Sequence, residues 1–260
     1  MKIIKQRLEL LQILHNAEMY EEMKGEMLSV LDFCIKEGIE MTPELRAQVG
    51  NVYKKLMSKK RGSWRSIQYE RAKIMQENSE VLKNLIKFSD EISTQIKNIS
   101  EEFISLIDGK ISEVKGAKDV KENQAFFLKA KGDYLRYQTE VLQEQEKKEI
   151  VKEIQRFYEE AEIICNELEQ TNPVRLGLYL NLSIFYYETM REYRKGIEIA
   201  QKTFDDGIKQ IVSIEAEEYK DITLILQLVR DNLNLWNRRE EDKIAENIMN
   251  VEDFDGDVEK

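Results

Sequence analysis

The sequence predicts an all-α fold, and three observations support that prediction. Apolar residues recur at spacings of three and four almost throughout the 260-residue chain, as they do on the buried face of a helix. The period-two alternation that marks a half-buried strand does not occur. Only 2 prolines and 11 glycines are present, so few residues interrupt a helical run. We therefore expect helices packed against one another, without a sheet.

The apolar periodicity divides the chain into about nine helices. They are predicted at residues 3–16, 19–37, 43–71, 73–110, 121–145, 147–169, 173–190, 194–211 and 216–237. The breaks coincide with turn and cap residues: Gly38 and Thr42-Pro43, the segment from Gly109 to Gly116, and Thr171-Asn172-Pro173. Proline suits the first turn of a helix, so Pro43 and Pro173 mark helix starts. The third and fourth helices, about 28 and 38 residues long, suggest elongated antiparallel pairs.

One helical domain is expected over residues 1–238, followed by an acidic tail at 239–260. From Glu240 onward, nine acidic residues accompany two lysines, and the last ten residues, VEDFDGDVEK, carry no helical stripe. A charged segment without an apolar face buries too little surface to fold on its own. We expect this tail to lack regular structure.

Composition excludes several classes of partner. The net charge of −10 and the isoelectric point near 5.0 argue against nucleic acid, which needs a clustered positive surface. No run of eighteen apolar residues could span a membrane. The first 22 residues read as an amphipathic helix rather than a signal peptide, because Glu9 and Gln12 interrupt the apolar stretch. Cys34 and Cys165 form no metal or redox motif, which favours buried thiols and a location in the cytosol or nucleus.

The residues that catalysis usually needs are missing. His15 is the single histidine, and a lone helical histidine is more often structural than catalytic. The glycines form no phosphate-cradling loop. Among 50 acidic residues, pairs of carboxylates are expected on solvated faces and do not indicate an acid–base site. The sequence therefore predicts neither an enzyme nor a bound cofactor or metal.

Two helices carry cationic stripes, because residues spaced by three, four and seven share one helix face. The stripe on the third helix contains Lys54, Ser58, Arg61 and Arg65. The stripe on the fifth contains Lys129, Asp133, Arg136 and Tyr137. These faces are either solvated and ion-paired, or they form an anion pocket in which arginines grip a phosphate and a tyrosine donates one more bond. In the second case Asp133 orients an arginine, and Gly132 permits close helix approach.

The C-terminal third offers matching apolar faces with polar insertions. One face combines Leu180, Asn181, Ile184 and Glu188. The other combines Leu224, Ile225, Leu228, Asn232, Leu235 and Trp236. Leucine stripes usually pack into a core, but an asparagine amide needs hydrogen-bond partners. Asn181 and Asn232 suit the backbone of an extended peptide, so a cationic wall and an apolar wall together predict an amphipathic groove.

Five segments, in this order, resemble the 14-3-3 family over nearly the whole chain. They are Ser63-Trp64-Arg65, KGDYLRY from Lys131 to Tyr137, NPVRLGLYLNLSIFYYE from Asn172 to Glu188, TFDDGI from Thr203 to Ile208, and YKDITLILQLVRDNLNLW from Tyr219 to Trp236. The resemblance implies a dimeric, cup-shaped adaptor of about nine antiparallel helices. Each subunit would bind phosphoserine or phosphothreonine segments of client proteins in its groove.

The resemblance also assigns roles to individual residues. The phosphate pocket would consist of Lys54, Arg61, Arg136 and Tyr137. The peptide backbone would be bound by Asn181 and Asn232, beside an apolar wall of Leu180, Ile184, Leu228 and Leu235. The rim would comprise Lys129, Glu188 and Trp236.

Some expectations depart from that family pattern or compete with it. Family dimers are commonly fastened by acid–base pairs, but the corresponding positions here place Glu22 against Glu91 and Met19 against Gln95. We still expect a homodimer, because the first four helices have apolar stripes that need cover. Ser63 matches a site that the family can phosphorylate, although it is equally an ordinary exposed serine.

Two further hypotheses concern what the groove binds. The acidic tail could fold over the basic pocket and compete with clients. The alternative to a phosphate reader is a helical-repeat scaffold of the tetratricopeptide kind, suggested by the helix-pair spacing in 176–211, which would bind unmodified peptides.

Overall fold

The computed structural model describes residues 2–74, 79–211 and 216–252, and its described residues form nine α-helices. The helices are α1 Lys2–Asn16, α2 Tyr20–Glu37, α3 Pro43–Lys73, α4 Glu80–Leu106, α5 Lys121–Thr139, α6 Glu144–Cys165, α7 Pro173–Ile184, α8 Tyr193–Gln210 and α9 Ala216–Glu252. Single π-helical turns, Ile107–Ile111 and Phe185–Thr189, continue α4 and α7. Extended pairing in these ranges is limited to one isolated bridge, Glu40 with Lys115. The predicted all-α class is confirmed.

The chain divides into two compact units, Met1–Ile164 and Cys165–Lys260. The first contains α1 to α5 and nearly all of α6, and the second contains α7 to α9. The sequence had suggested one domain over 1–238, whereas in the structure each of these two units has an apolar core of its own.

The core of the first unit joins α3, α4 and α5 through stacked aromatic rings. Phe103 lies with its ring centre 4.4 Å from that of Tyr53 on α3 and 4.4 Å from that of Tyr134 on α5. All three side chains are almost fully buried. Such rings contribute large buried areas and prefer these offset or tilted contacts. The stack therefore holds α3 and α5, which carry the two cationic stripes, at fixed positions on either side of α4.

The core of the second unit is built around Trp236. Its ring stacks on Tyr187 with centres 4.3 Å apart and planes inclined by 10°. Ala200, Val229 and Leu233 complete this cluster. Trp236 is 1% exposed, so burial of the whole indole contributes to the packing of α9 against the π-helical turn after α7.

The predicted helix starts at the two prolines are correct. The Thr42 hydroxyl accepts a hydrogen bond from the Leu45 amide at 3.2 Å, with Pro43 in the first turn. The Asn172 side chain accepts from the amides of Val174 at 2.9 Å and Arg175 at 3.3 Å. Because each cap satisfies amides that have no intrahelical partner, the local sequence was sufficient to place these ends.

The predicted start of the fourth helix and the predicted end of the fifth are wrong. The fourth helix was expected from residue 73, but α4 begins at Glu80 after the cap Ser79, and 75–78 lie outside the described residues. The fifth was expected to reach 145, but it ends at Thr139, where the amides of the next two residues bond back only three positions and tighten the last turn. No glycine or proline marks that end, so no residue there indicates a helix stop.

The expected tail is helical over much of its length. α9 continues through 239–252, while 253–260 lie outside the described residues. The segment REEDKIAENIM is rich in strong helix formers and contains no glycine or proline. Helix propensity therefore continues α9 even where an apolar stripe is not evident.

Two composition-based expectations can be compared with the structure. Cys34 and Cys165 are both buried, as predicted. No helix in the described ranges is both long enough and apolar enough to cross a membrane.

Gly196 on α8 provides a test of how closely the second unit is packed. A Cβ atom there would lie 2.7 Å from the Tyr187 Cβ and 2.9 Å from the Ser183 carbonyl oxygen, so backbone would have to move. We expect Gly196→Ala to lower the free energy of unfolding by about 2 kcal/mol or more. Gly25→Ala on α2 is the matched control, because nothing lies within 4 Å of its added Cβ. It should raise the free energy of unfolding by about 0.5–1 kcal/mol.

Urea unfolding followed by circular dichroism measures both glycine variants. If the two substitutions shift the unfolding midpoint in the same direction and by the same amount, the close approach at Gly196 does not constrain the fold.

Candidate anion-binding site

The structure brings side chains from α3 and α5 together around the ring of Tyr137. The guanidinium carbon of Arg61 lies 4.0 Å from the ring centre, and that of Arg136 lies 4.8 Å from it. Two guanidiniums thus contact one aromatic ring. The face of the ring attracts cations, but because the ring is uncharged it does not cancel their charge. The Tyr137 hydroxyl forms no hydrogen bond within the described ranges, so it is able to donate to a ligand.

Arg136 is a buried cation without a carboxylate partner. It is only 7% exposed, and in the described part of the chain it forms no ion pair. Its Nε donates to the Tyr158 hydroxyl at 3.4 Å, a long bond. Burial alone would lower the pKa of Arg136, but the surrounding oxygens of Tyr158, Tyr137 and Asp133 outweigh burial and raise that pKa. The guanidinium therefore stays charged and has hydrogen-bond donors to spare.

Asp133 orients Arg136 through Tyr158 rather than directly. The Tyr158 hydroxyl donates to Asp133 Oδ1 at 2.7 Å, and Lys129 donates to Asp133 Oδ2 at 2.7 Å. Burial, followed by the neighbouring Asp133 charge, raises the pKa of the Tyr158 hydroxyl, which keeps its proton. The chain of contacts runs Lys129, Asp133, Tyr158, Arg136. It leaves Asp133 already occupied, so its carboxylate does not neutralise Arg136 outright.

Gly132 on α5 faces the ring of Tyr158 on α6. A Cβ atom at this position would lie 2.7 Å and 2.9 Å from two ring carbons of Tyr158. Contacts this short do not occur in folded proteins, so a side chain at 132 would push the tyrosine away. The glycine in the middle of α5 is therefore explained by the tyrosine that positions Arg136, in agreement with the expected close approach.

Glu140 is the site residue that sequence reasoning missed. Its Oε1 accepts from Arg61 Nε at 3.0 Å and also from Arg61 Nη2. Its Oε2 accepts from Arg65 Nε at 3.1 Å and Nη2 at 2.9 Å. A signal existed, because 140 follows 136 by four residues and so shares its helix face. Glutamates are so frequent in this chain that the spacing alone did not single it out.

Lys54 lies two turns before Arg61 on the same face of α3. Its side chain is exposed and makes no ion pair or hydrogen bond with the described residues. It therefore remains a mobile point charge beside the arginines. Of the predicted phosphate pocket, Arg61 and Arg136 both contact the Tyr137 ring, and Lys54 shares the helix face of Arg61.

The predicted peptide-binding residues of the second unit fall into three groups. Leu228 and Leu235 are 47% and 46% exposed on α9, whereas Leu180 and Ile184 lie half-buried against the Trp236 cluster. The half-buried asparagines are Asn181 and Asn232, and Glu188 is exposed. On the expected face, two leucines are therefore accessible, whereas Leu180 and Ile184 also pack against the core.

Two of the three predicted rim residues are not accessible. Trp236 is 1% exposed and belongs to the core of the second unit, because its ring stacks on Tyr187. The Lys129 side chain is 15% exposed, and its ammonium is held by Asp133. The sequence analysis put Trp236 on the face of Leu228 and Leu235, whereas the structure turns it toward the core with Val229 and Leu233.

Tyr158→Phe tests the contact chain behind Arg136. The change removes one hydroxyl and leaves a buried Asp133 oxygen without its donor, so the free energy of unfolding should fall by about 1–3 kcal/mol. Tyr69→Phe is the control, because Tyr69 is 65% exposed and the same atom is removed. Urea unfolding should detect no more than about 0.5 kcal/mol there. Equal stability of Tyr158→Phe and the parent protein would show that the hydroxyl does not support the site.

Comparison with known proteins identifies the family of this chain. The model of the family described as "14-3-3 protein" matches residues 10–237. The 14-3-3 protein beta/alpha-A of Xenopus laevis is 35% identical over 233 residues, which cover 89% of this chain and 92% of that protein. A 14-3-3 protein homolog of Encephalitozoon cuniculi is 35% identical over 228 residues, covering 88% of each chain. The 14-3-3-like protein 2 of Caenorhabditis elegans is 34% identical over 227 residues, covering 86% of this chain and 88% of that protein. This chain belongs to the 14-3-3 family.

Proposed function

We propose that the protein is an adaptor that binds client proteins through a phosphorylated serine or threonine. The observation that carries the proposal is Arg136, a buried guanidinium with no carboxylate partner in the described chain, beside Arg61 on the Tyr137 ring. A buried charge without a counter-charge is costly, and such sites are commonly functional. In a protein of net charge −10, an anionic ligand is the simplest explanation for this arrangement.

The side chains of the site suit a phosphate monoester. A phosphorylated side chain carries about −1.5 to −2 charges at pH 7 and offers three acceptor oxygens. Arg61 and Arg136 can donate charge-assisted hydrogen bonds, Tyr137 a neutral one, and Lys54 a point charge. Each charge-assisted bond contributes about 1.5–3 kcal/mol, so three of them account for most of a micromolar affinity of about 8 kcal/mol.

The client peptide itself would be bound by residues of the second unit. We assign its backbone to Asn181 and Asn232, whose amides can both donate and accept. The exposed leucines, Leu228 and Leu235, would contact apolar client side chains. This assignment rests on the family and predicts that the phosphate provides affinity while the leucines provide preference for neighbouring residues.

A homodimer located in the cytoplasm or nucleus is part of the same proposal. Large apolar side chains remain exposed on helices of the first unit, including Ile13 at 63%, Val81 at 61% and Phe88 at 49%. Exposed apolar side chains of this size favour surfaces that a second copy covers. Glu22 and Glu91 are also exposed, and neither forms an ion pair with another described residue.

The dimer is tested by placing a charge in this apolar surface. Phe88→Asp should convert a dimer of twice 30.8 kDa into a monomer, because an aspartate cannot be buried without a partner. Ile163→Asp, at a residue 68% exposed on α6, should leave the mass unchanged. Light scattering after size-exclusion chromatography measures both. A parent protein that is monomeric at micromolar concentration contradicts the proposal.

The phosphate dependence is tested with paired peptides. A degenerate library with one fixed central phosphoserine first selects a binding peptide, which is then titrated in its phosphorylated and unphosphorylated forms. We expect the phosphorylated form to bind more than about 100-fold tighter. Equal affinity of the two forms would favour the alternative, a helical-repeat scaffold that binds unmodified peptides.

Two variants link that affinity to the site. Arg136→Glu should abolish binding, and Lys54→Glu should weaken it by about 10-fold or more without a folding defect, because Lys54 is exposed. Arg194→Glu reverses the same charge at a side chain that is 94% exposed on α8, and it should bind like the parent. Circular dichroism confirms that each variant is folded.

A further inference from the structure

Glu140 holds the two arginines of α3 by the edges that an anion would use. Its two carboxylate oxygens each take the Nε–Nη2 edge of one guanidinium, Arg61 through Oε1 and Arg65 through Oε2. That edge presents two parallel N–H groups and is the part of arginine that grips carboxylates and phosphates bidentately. Without a ligand, the bidentate edges of Arg61 and Arg65 are therefore both occupied by the Glu140 carboxylate.

The end of α5 fixes the position of this carboxylate. The helix stops at Thr139, whose hydroxyl donates to the Arg136 carbonyl oxygen at 2.7 Å, and the Glu140 amide donates to the Tyr137 carbonyl oxygen at 3.3 Å. Glu140 consequently follows directly on the helical turn that carries Arg136 and Tyr137, the two residues that would bind the ligand. Its side chain is 20% exposed, and so is shielded from solvent more than the Arg65 side chain, at 60%.

Arg136 is not part of this closed arrangement. Its side chain contacts the Tyr158 hydroxyl and the Tyr137 ring and forms no ion pair with the described residues, so a phosphate can dock on it without displacing a carboxylate. Arg61 contacts the same Tyr137 ring. An anion bound to Arg136 and the Tyr137 hydroxyl would thus lie beside Arg61 and Arg65, which still bind Glu140.

We propose that Glu140 is a resident competitor that sets the threshold for anion binding, an inference that rests on the proposed function. A client phosphate gains full affinity only by taking Arg61 and Arg65 over from Glu140. A singly charged group offers these arginines no more than Glu140 already provides, so the exchange yields almost nothing. A doubly charged phosphate exceeds what Glu140 provides. Glu140 therefore excludes acidic side chains and sulfate esters while admitting phosphate.

The decisive variant is Glu140→Gln. The amide keeps the size of the side chain and one acceptor oxygen but removes the competing charge. The probes are three forms of the peptide selected above, carrying phosphoserine, serine O-sulfate or serine at the same position. Serine O-sulfate has the tetrahedral shape of phosphoserine with a single charge, so it isolates charge from geometry.

Glu140→Gln should bind the phosphoserine peptide about 10-fold or more tightly than the parent protein, because the arginines no longer have to be released from a carboxylate. The sulfate peptide should change from barely detectable binding to measurable binding. Fluorescence anisotropy of labelled peptides gives both affinities. If Glu140 only positioned the arginines, Glu140→Gln would instead lower the affinity for both peptides, because the arginines would lose their support.

Glu149→Gln is the matched control. It removes the same charge from α6, where Glu149 is 80% exposed and pairs only with Lys152 at 3.1 Å in the described structure. It should leave both affinities within about 2-fold of the parent, since exposed charges at a distance are screened. A gain as large as that of Glu140→Gln would assign the effect to net charge and overturn the proposal.

The outcomes separate this inference from the function beneath it. If the parent protein prefers phosphoserine to serine but Glu140→Gln binds phosphoserine equally or more weakly, the adaptor function stands and the competitor role is overturned. If neither protein distinguishes phosphoserine from serine, the proposed function itself fails, and the competitor role falls with it.

Discussion

The structure depends on keeping one arginine charged inside the protein without a carboxylate beside it. Arg136 is stabilised by the oxygens of Tyr158 and Tyr137 and by the charge of Asp133, with which it makes no direct ion pair. This arrangement determines its surroundings: Asp133 must fix the phenol, Lys129 must balance Asp133, and Gly132 must leave room for the ring. Replacing the tyrosine by a carboxylate would neutralise the guanidinium and weaken its attraction for an anionic ligand.

An acidic chain can carry such a site because electrostatic effects in salt solution are local. At physiological ionic strength, exposed charges more than about 8 Å apart are largely screened. Many exposed lysines are neutralised by acids one helical turn away, such as Lys152 by Glu149 and Lys195 by Glu192. The net charge of −10 therefore describes solubility, whereas the potential at Arg136 is set by its immediate neighbours.

Much of the fold was predictable because its signals are short-range. Asn172 caps α7 with an amide two residues away, and the sequence alone identifies such a partner. The apolar face of α9 was equally visible, yet Trp236 was assigned to an accessible rim, because the contact that buries it comes from Tyr187 on a different element. Glu140 shows the same limit: its helix face follows from spacing, but its commitment to Arg61 depends on how α3 packs beside α5. Periodicity gives the direction of a side chain and not the identity of what meets it.

The length of α9 restricts how this part of the sequence can change over evolution. Leu228 and Leu235 share a face because seven residues make nearly two full turns, and Trp236 points to the core one position, about 100°, further round. Inserting or deleting a single residue between them would rotate everything downstream by that angle, so that Leu235 or Asn237, respectively, would take the place of the buried indole. A loop could absorb such a change, but an uninterrupted helix cannot. Variation along this stretch is therefore confined to substitutions that preserve residue spacing.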